Sequence, residues 1–307
     1  MNLLMPHVSS RLFGVPLIVD AGKAAAIIAG LGGRISGVDM EIEGVEAINH
    51  VAFSGGRPSH SLGVLGDRLG QRYEQNGQGS DLLPRIGSVG VIGVEGTLVH
   101  KGKFVGSSSG ETSYEGITAQ AFRALRDPSI KAAVYEVDSF GGEAAGAFDA
   151  ADTLFELSQK KPTIAILTDF ALSGGYLLAS TARQIVIPET GAAGSIGVIE
   201  LHADLSQKLA SQGVKVTVIS SGAHKADGHP ASPLSPEVLS KMQADLDKSR
   251  ELFASAVGRY RGSRLDKSAA LATEADSYRG ADAVAAGLAD VVARPSEAFN
   301  AFLSAFR

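Results

Sequence analysis

Ser173 is the side chain best placed for nucleophilic chemistry. It follows an apolar run that ends at Thr168 and precedes a small-residue stretch, Gly174 to Thr181. This order predicts a serine at a sharp turn between a strand and a helix, where its hydroxyl faces a crevice and the next backbone amide stabilises an oxyanion. Serine also caps helices, so the Ser-Gly-Gly sequence alone leaves a purely structural role open.

A serine nucleophile needs a base, and Lys225 is the candidate that the sequence favours. It lies in a small-residue loop, Ser220 to Gly228, directly after an apolar run. A lysine accepts a proton only in its neutral form, which burial favours, although a solvated surface lysine is the alternative. The histidines are less suitable because they lie mostly in loops or near the N-terminus: His7, His50, His60, His100, His202, His224 and His229.

Glycine-rich segments at the ends of predicted strands could supply backbone amides to a developing negative charge. Gly141-Gly142 follows the run Ala132 to Val137, and another such segment extends from Thr190 to Gly197. In open α/β folds ligands bind at the carboxyl ends of strands, so these segments and the Ser173 turn are expected to share one site. Tight turns alone would also explain the glycines.

Composition excludes several functional classes. The chain has 307 residues, a net charge of −5 and no cysteine. Cysteine nucleophiles and thiolate metal sites are therefore absent, and the scattered charges form no basic face for nucleic acid. Neither glycine-rich phosphate motif is present, and His224 and His229 lack an HExxH-type partner, so we expect no cofactor and no metal.

The sequence also predicts a soluble, unsecreted protein. The most apolar N-terminal stretch, Ala24 to Gly33, is far shorter than the ~20 residues that span a bilayer. Met1 to Ser10 has no lysine or arginine and so lacks the basic start of a secretory signal.

From Ser88 onward, apolar runs of strand length alternate with helical patterns, which is typical of an α/β protein. The runs are rich in valine and isoleucine and scarcely alternate, so they predict strands buried on both faces. The predicted strands are Val89 to Val94, Ala132 to Val137, Thr163 to Thr168, Gln184 to Ile187, Ile196 to Leu201 and Val214 to Ile219. Helices are predicted from Val19 to Ile35, from Glu143, and from Pro236 to Arg261, the last as a packing or assembly helix.

Four segments in this order resemble the signal peptide peptidase A family of Ser-Lys proteases, and most of all its phage capsid-assembly branch. They are Gly141-Gly142, Ser173 to Tyr176, Gly194 to Val198 and Ser221 to Gly228. Phage-branch likeness is also seen in Ser10 to Phe13, Gly96 to Val99 and Ala145 to Asp149. The similarity covers nearly the whole chain. Where the family usually has proline before the glycine pair, this chain has Phe140.

The resemblance implies an α/β fold of the Clp protease and crotonase type, built from repeated ββα-type units. It implies Ser173 as nucleophile, Lys225 as general base and Ser195 as the residue that orients the lysine. The oxyanion amides would come from Gly141, Gly142 and Gly174. We divide the chain into an N-terminal extension (1–52), a glycine-rich linker (53–87), a peptidase domain (88–293) and a C-terminal helix (294–307).

The function implied is a serine endopeptidase that processes scaffold, portal or other head proteins during phage capsid assembly. It would act as a homo-oligomer in the host cytoplasm or inside the prohead, without nucleic acid. A substrate peptide is expected to lie extended and to add a strand beside Gly141 to Glu143. Two alternatives remain: a host-type signal peptide peptidase that degrades leader peptides, and a catalytically silent crotonase-like assembly protein.

Overall fold

A largely parallel β-sheet forms the centre of the protein. The structure is a computed structural model that describes residues 11–25, 83–101 and 111–306. Within these residues the main path of the sheet is β10-β7-β6-β5-β3-β2. The described part of the chain contributes ten strands: β1 (Leu17–Val19), β2 (Arg85–Ile86), β3 (Val89–Val99), β4 (Glu111–Ser113), β5 (Ala132–Glu143), β6 (Thr163–Leu172), β7 (Gln184–Ile187), β8 (Ala192–Gly194), β9 (Ser277–Arg279) and β10 (Val291–Val292).

The helices of the described ranges alternate with the strands, which confirms the α/β class. Apart from short helical stretches in the N-terminal segment, among them residues 21–25, they are α1 (Tyr114–Arg126), α2 (Ala147–Lys160), α3 (Gly174–Ala179), α4 (Ser206–Ser211), α5 (Pro236–Arg261), α6 (Lys267–Ala272), α7 (Gly280–Ala285) and α8 (Pro295–Ser304). Helix α5 has the predicted bounds because Ser235 caps its first turn and Pro236 suits the first helical position. Among the described residues, no helix is both long and apolar enough to cross a bilayer.

Both faces of the central strands are buried, as their unbroken apolar runs predict. One face belongs to a large core that includes Ile92, Tyr135 and Leu167 together with residues of α1, α2 and α3. The other face, which includes Val91 and Val134, packs against the C-terminal helix α8. The sheet therefore holds its strand ends in fixed positions, which is the condition for a precise site.

Two predicted strands are wrong. The segment 196–201 contains only isolated bridges at Ile199 and Leu201, and the strand in this region is β8. Val214 to Ile219 forms no strand because no neighbouring segment of the described chain pairs with it; Ile219 is 94% exposed. Its apolar composition resembles that of a buried strand, which is why the sequence was misleading here.

The N-terminal prediction and one helix start also need correction. Strand β1 precedes the alanine-rich helix predicted from Val19 to Ile35, and only residues 21–25 of that span are seen as helix, because residues 26–82 lie outside the described ranges. Most of the predicted linker, 53–82, lies there too, and its last residues contain strand β2. The helix predicted from Glu143 begins at Ala147 instead. Strand β5 continues through Glu143 because β3 and β1 pair with its last residues.

Strands β5 and β6 separate at their carboxyl ends, and this separation creates the crevice. Their pairing shifts register between Val137 and Ser139 and ends at Ser139 with Ala171. Irregularities of this kind redirect a strand and are common beside functional sites. Beyond that point the edge of β5 is free of β6, and β1 pairs with it instead.

Two aspartates lie close to this separation, and their environment makes one of them a pH-sensitive group. Burial raises the pKa of Asp138 to about 6, with the negative charges of Asp169 and Glu95 adding to the effect. A hydrogen bond from the Phe170 backbone and the charge of Lys23 oppose the rise. The folded protein therefore binds a proton at Asp138 more tightly than the unfolded chain does.

We expect the substitution Asp138→Asn to stabilise the protein at pH 8 more than at pH 4. Since the folded pKa is raised, ionisation of Asp138 lowers the free energy of unfolding as pH rises from about 4 to about 7, by about 2 to 3 kcal/mol. The asparagine variant should lose this dependence in chemical unfolding at the two pH values. The exposed Asp149→Asn variant should retain it, and equal behaviour of the two variants would contradict the prediction.

Candidate active site

Ser173 lies at a strained turn between β6 and α3. Its backbone has φ 52° and ψ −118°, a conformation that residues with a side chain rarely adopt. Its N–H donates to the Gly194 carbonyl at 2.8 Å, and its hydroxyl contacts the Gly197 carbonyl at 3.5 Å. The sequence thus places the serine correctly at a strand-to-helix turn, in the geometry in which a hydroxyl is presented for nucleophilic attack.

Backbone atoms from three segments crowd together beside Ser173. A β-carbon on Gly141 would lie 2.1 Å from the Ile18 carbonyl oxygen and 2.7 Å from the Gly174 nitrogen. A β-carbon on Gly142 would lie 1.9 Å from the Leu98 carbonyl oxygen. Only glycine fits at either position, so the glycine pair lets the end of β5 approach both the Ser173 turn and β3.

The amides of the glycine pair have different partners. The N–H of Gly141 donates to the Ser139 hydroxyl at 3.1 Å, and that hydroxyl donates to the Gly96 carbonyl at 2.6 Å. Gly142 is paired in register with Ile18 of β1. We therefore favour Gly142 over Gly141 as the β5 amide that would face a substrate carbonyl, with Gly174 as the second predicted donor.

Ser195 lies in the loop that follows β8, next to the Ser173 turn. Its φ is 54°, its N–H donates to the Asp276 carbonyl at 2.9 Å, and its side chain is half-buried. Gly194, the last residue of β8, and Gly197 of this loop supply the carbonyls that contact Ser173. Ser195 thus lies close to the predicted nucleophile in space, although the two residues are distant in the chain.

Lys225 lies in an exposed loop, apart from the buried serine. Its backbone N–H donates to the Gly222 carbonyl at 3.2 Å, but within the described residues no hydrogen bond or ion pair joins its amine to Ser173 or Ser195. Asp227 ties this loop to α5 through an ion pair with Lys241 at 3.2 Å. The interaction between Ser173 and Lys225 therefore stays a prediction. It requires that the loop carrying Lys225 be covered or rearranged.

Two residues of the site were not identified from the sequence. Ile18 lies in β1, which the sequence assigned to an extension, and its Cδ1 atom would be 3.2 Å from a β-carbon on Gly174. Tyr114 is buried, which raises the pKa of its phenol, and its hydroxyl donates to the Glu143 carbonyl at 2.8 Å. Neither residue belongs to a motif, so only the folded chain could associate them with Ser173.

The backbone strain at Ser173 predicts that a glycine variant is more stable than an alanine variant at this position. An alanine there keeps the unfavourable backbone conformation, which costs about 1 to 3 kcal/mol, whereas glycine relieves it and loses only about 0.5 to 1 kcal/mol in chain entropy. Ser173→Gly should therefore have a free energy of unfolding about 1 kcal/mol above that of Ser173→Ala in guanidinium titrations. An alanine variant as stable as the glycine variant would show that the turn is not strained.

Comparison with known proteins relates this chain to a family of peptidases. The model of Peptidase family S49 matches residues 156–303. Capsid assembly protease C of Escherichia phage lambda is 33% identical over 296 residues, which are 96% of this chain and 65% of the lambda protein. Head-tail preconnector protein GP5 of Enterobacteria phage P21 is 33% identical over 302 residues, 98% of this chain and 58% of GP5.

The chain thus spans less than two thirds of the length of either phage protein. A solved enoyl-CoA hydratase/isomerase family member aligns with 73% of this chain and 75% of its own, at 14% identity and a TM-score of 0.42. The resemblance drawn from the motifs is confirmed: residues 156–303 match the model of peptidase family S49, and the two phage proteins are similar to nearly the whole chain.

Proposed function

We propose that this protein is a serine endopeptidase that cleaves head proteins during the assembly of a phage capsid. The observation that carries the proposal is the strained, buried Ser173 at the strand-to-helix turn, next to the glycine edge of β5. The similarity to a capsid assembly protease over nearly the whole chain supports the choice of substrate.

In the proposed reaction, the Ser173 hydroxyl attacks the carbonyl carbon of an extended peptide. Lys225, oriented by Ser195, accepts the hydroxyl proton and then donates it to the departing amine as the C–N bond breaks. The amides of Gly142 and Gly174 stabilise the tetrahedral oxyanion. Water then attacks the acyl-enzyme, its proton passes through the neutral lysine to Ser173, and the carboxylate product leaves.

Lys225 can act in this way only if it leaves bulk water, and we propose that a second copy of the chain covers it. An exposed apolar strip precedes the Lys225 loop: Val214 is 47% exposed, Val216 44%, Val218 45% and Ile219 94%. Apolar surface of this kind indicates an interface. Assembly of identical copies would bury the strip and desolvate the loop that carries the base.

Co-expression with the scaffold and portal proteins of its phage tests the proposed function. Wild-type protein should shorten at least one of them, whereas Ser173→Ala and Lys225→Ala should reduce cleavage by about 10³-fold or more, because the nucleophile and its base act as a unit. Cleavage is followed by gel and mass spectrometry, with circular dichroism to confirm that the variants fold.

Equal processing by the wild type and Ser173→Ala would contradict the protease assignment. Efficient cutting of leader peptides by the wild type, with no cutting of any head protein, would favour the signal peptide peptidase alternative.

The peptidase activity of the wild type should also rise with pH, because the base must be neutral to accept a proton.

The assembly proposal predicts that Ile219→Asp weakens both self-association and cleavage. A charge in an apolar interface loses its hydration, so light scattering should show a smaller species and kcat/KM should fall about tenfold or more. Phe122→Asp, at an exposed apolar position on α1, is the matched control and should behave as wild type. A wild-type protein that is monomeric at micromolar concentration would rule out the assembly proposal.

A further inference from the structure

The N-terminal segment lies where a substrate peptide is expected to bind. We propose that residues 14–20 are a built-in pseudosubstrate that closes the active site to other peptides until this segment is displaced. The proposal rests on the proposed protease function and adds its regulation. Its support comes from the hydrogen bonds of β1, from the position of Ile18 and from the burial of Ser173.

Strand β1 is bound on both sides, as an extended peptide would be. On one side it runs antiparallel to the free edge of β5, with the Asp20 N–H donating to the Phe140 carbonyl at 2.9 Å and Ile18 opposite Gly142. On the other side Leu17 exchanges two hydrogen bonds with Ile199, of 2.8 and 2.9 Å. This is recognition by strand addition, in which main-chain pairing gives affinity and alternate side chains enter pockets.

Ile18 occupies the position of the residue whose carbonyl would be attacked. A β-carbon placed on Gly141 would lie 2.1 Å from the Ile18 carbonyl oxygen and 2.7 Å from the Gly174 nitrogen. The carbonyl oxygen and this nitrogen are therefore close to each other. In an antiparallel pair, hydrogen-bonded positions alternate along the strands. The hydrogen bond from Asp20 therefore makes Ile18 and Gly142 a hydrogen-bonded pair as well, which directs the Gly142 amide to the Ile18 carbonyl.

The side chain of Ile18 fills a pocket of the protein core, and the predicted nucleophile is buried as well. Ile18 is fully buried, at 0% exposure, in the same cluster as Tyr114 and Leu98. Ser173 is also 0% exposed. No substrate from solution can reach a fully buried hydroxyl, and Ile18 of β1 lies beside Gly174, the residue after Ser173 in the chain. We therefore expect peptide cleavage to require that β1 leave.

The contacts that hold this segment suit a displaceable element. Its backbone partners are the edge of β5 and the segment 199–201, and its flanks are attached by weaker polar contacts. Arg11 pairs with Glu143 at 3.2 Å while its side chain is 47% exposed, and the Lys23 amine lies 5.4 Å from the centre of the Phe140 ring. The remaining pairing of β5 with β3 and β6 does not depend on β1.

A reversible crosslink tests the proposal directly. The chain has no cysteine, so Leu17→Cys with Ile199→Cys introduces a single pair. In a hydrogen-bonded antiparallel pair the Cα atoms are about 5.5 Å apart, which lies within the range of disulfides. A fluorophosphonate, which modifies nucleophilic serines, reports access to Ser173 by mass spectrometry without any knowledge of the preferred substrate.

We expect the oxidised double variant to be labelled at Ser173 at least about twentyfold more slowly than the same protein after reduction, because the disulfide removes the open state. The single Leu17→Cys variant should label at one rate under both conditions. Equal labelling of the oxidised and reduced double variants would overturn the pseudosubstrate while leaving the protease function intact. Absence of labelling in both the wild type and the reduced variant would overturn the proposed function itself, and the pseudosubstrate with it.

Loosening the segment should have the opposite effect. Ile18→Ala removes most of the side chain that fills the pocket, so we expect Ser173 labelling to accelerate about tenfold as the open state becomes more populated. Against a cleaved peptide the same variant should show a lower KM and an unchanged kcat, the signature of a weakened internal competitor. Leu303→Ala, a buried leucine of α8 in a separate core cluster, controls for general destabilisation. Equal acceleration in both variants would overturn the proposal.

Discussion

The site depends on the backbone edge that β6 leaves unpaired at the carboxyl end of β5. After Ser139 the strand loses β6 as a neighbour, yet its amides and carbonyls still require partners. Strand β1 supplies them from Leu17 to Val19, and the separation of β5 from β6 leaves room for the Ser173 turn. Backbone pairing and the position of the nucleophile thus have one geometric origin.

The glycines at this edge follow from the same crowding. The end of β5 is in contact with Leu98 of β3 on one side and with Ile18 and the Gly174 nitrogen on the other, at distances that exclude a β-carbon. Phe140 stands where the family resemblance leads us to expect proline, and its ring packs against Phe170 with centroids 4.6 Å apart. This contact can restrain the loop by packing rather than by a fixed φ angle.

The two residues of the predicted dyad lie in opposite environments. Ser173 is held by the sheet, by α3 and by the loop after β8, and it is buried. Lys225 is on an exposed loop beyond an apolar strip. In the proposed mechanism burial acts on the two residues in opposite ways: the serine must be uncovered to meet substrate, whereas the lysine must leave bulk water to act as a base. If β1 leaves the active site and a second copy of the chain covers Lys225, assembly would be linked to activity.

Local patterns in the sequence determined the fold class, the strands β3, β5, β6 and β7, the bounds of α5 and the turn at Ser173. These features arise from apolar periodicity, capping residues and glycine pairs, all of which act over a few residues. The pairing of β1 with β5, the strain at Ser173, the pocket of Ile18 and the exposure of Val214 to Ile219 were decided only by the tertiary structure. They depend on which distant segments meet, and a strand's composition does not specify its neighbour, because the same backbone edge pairs with any extended segment.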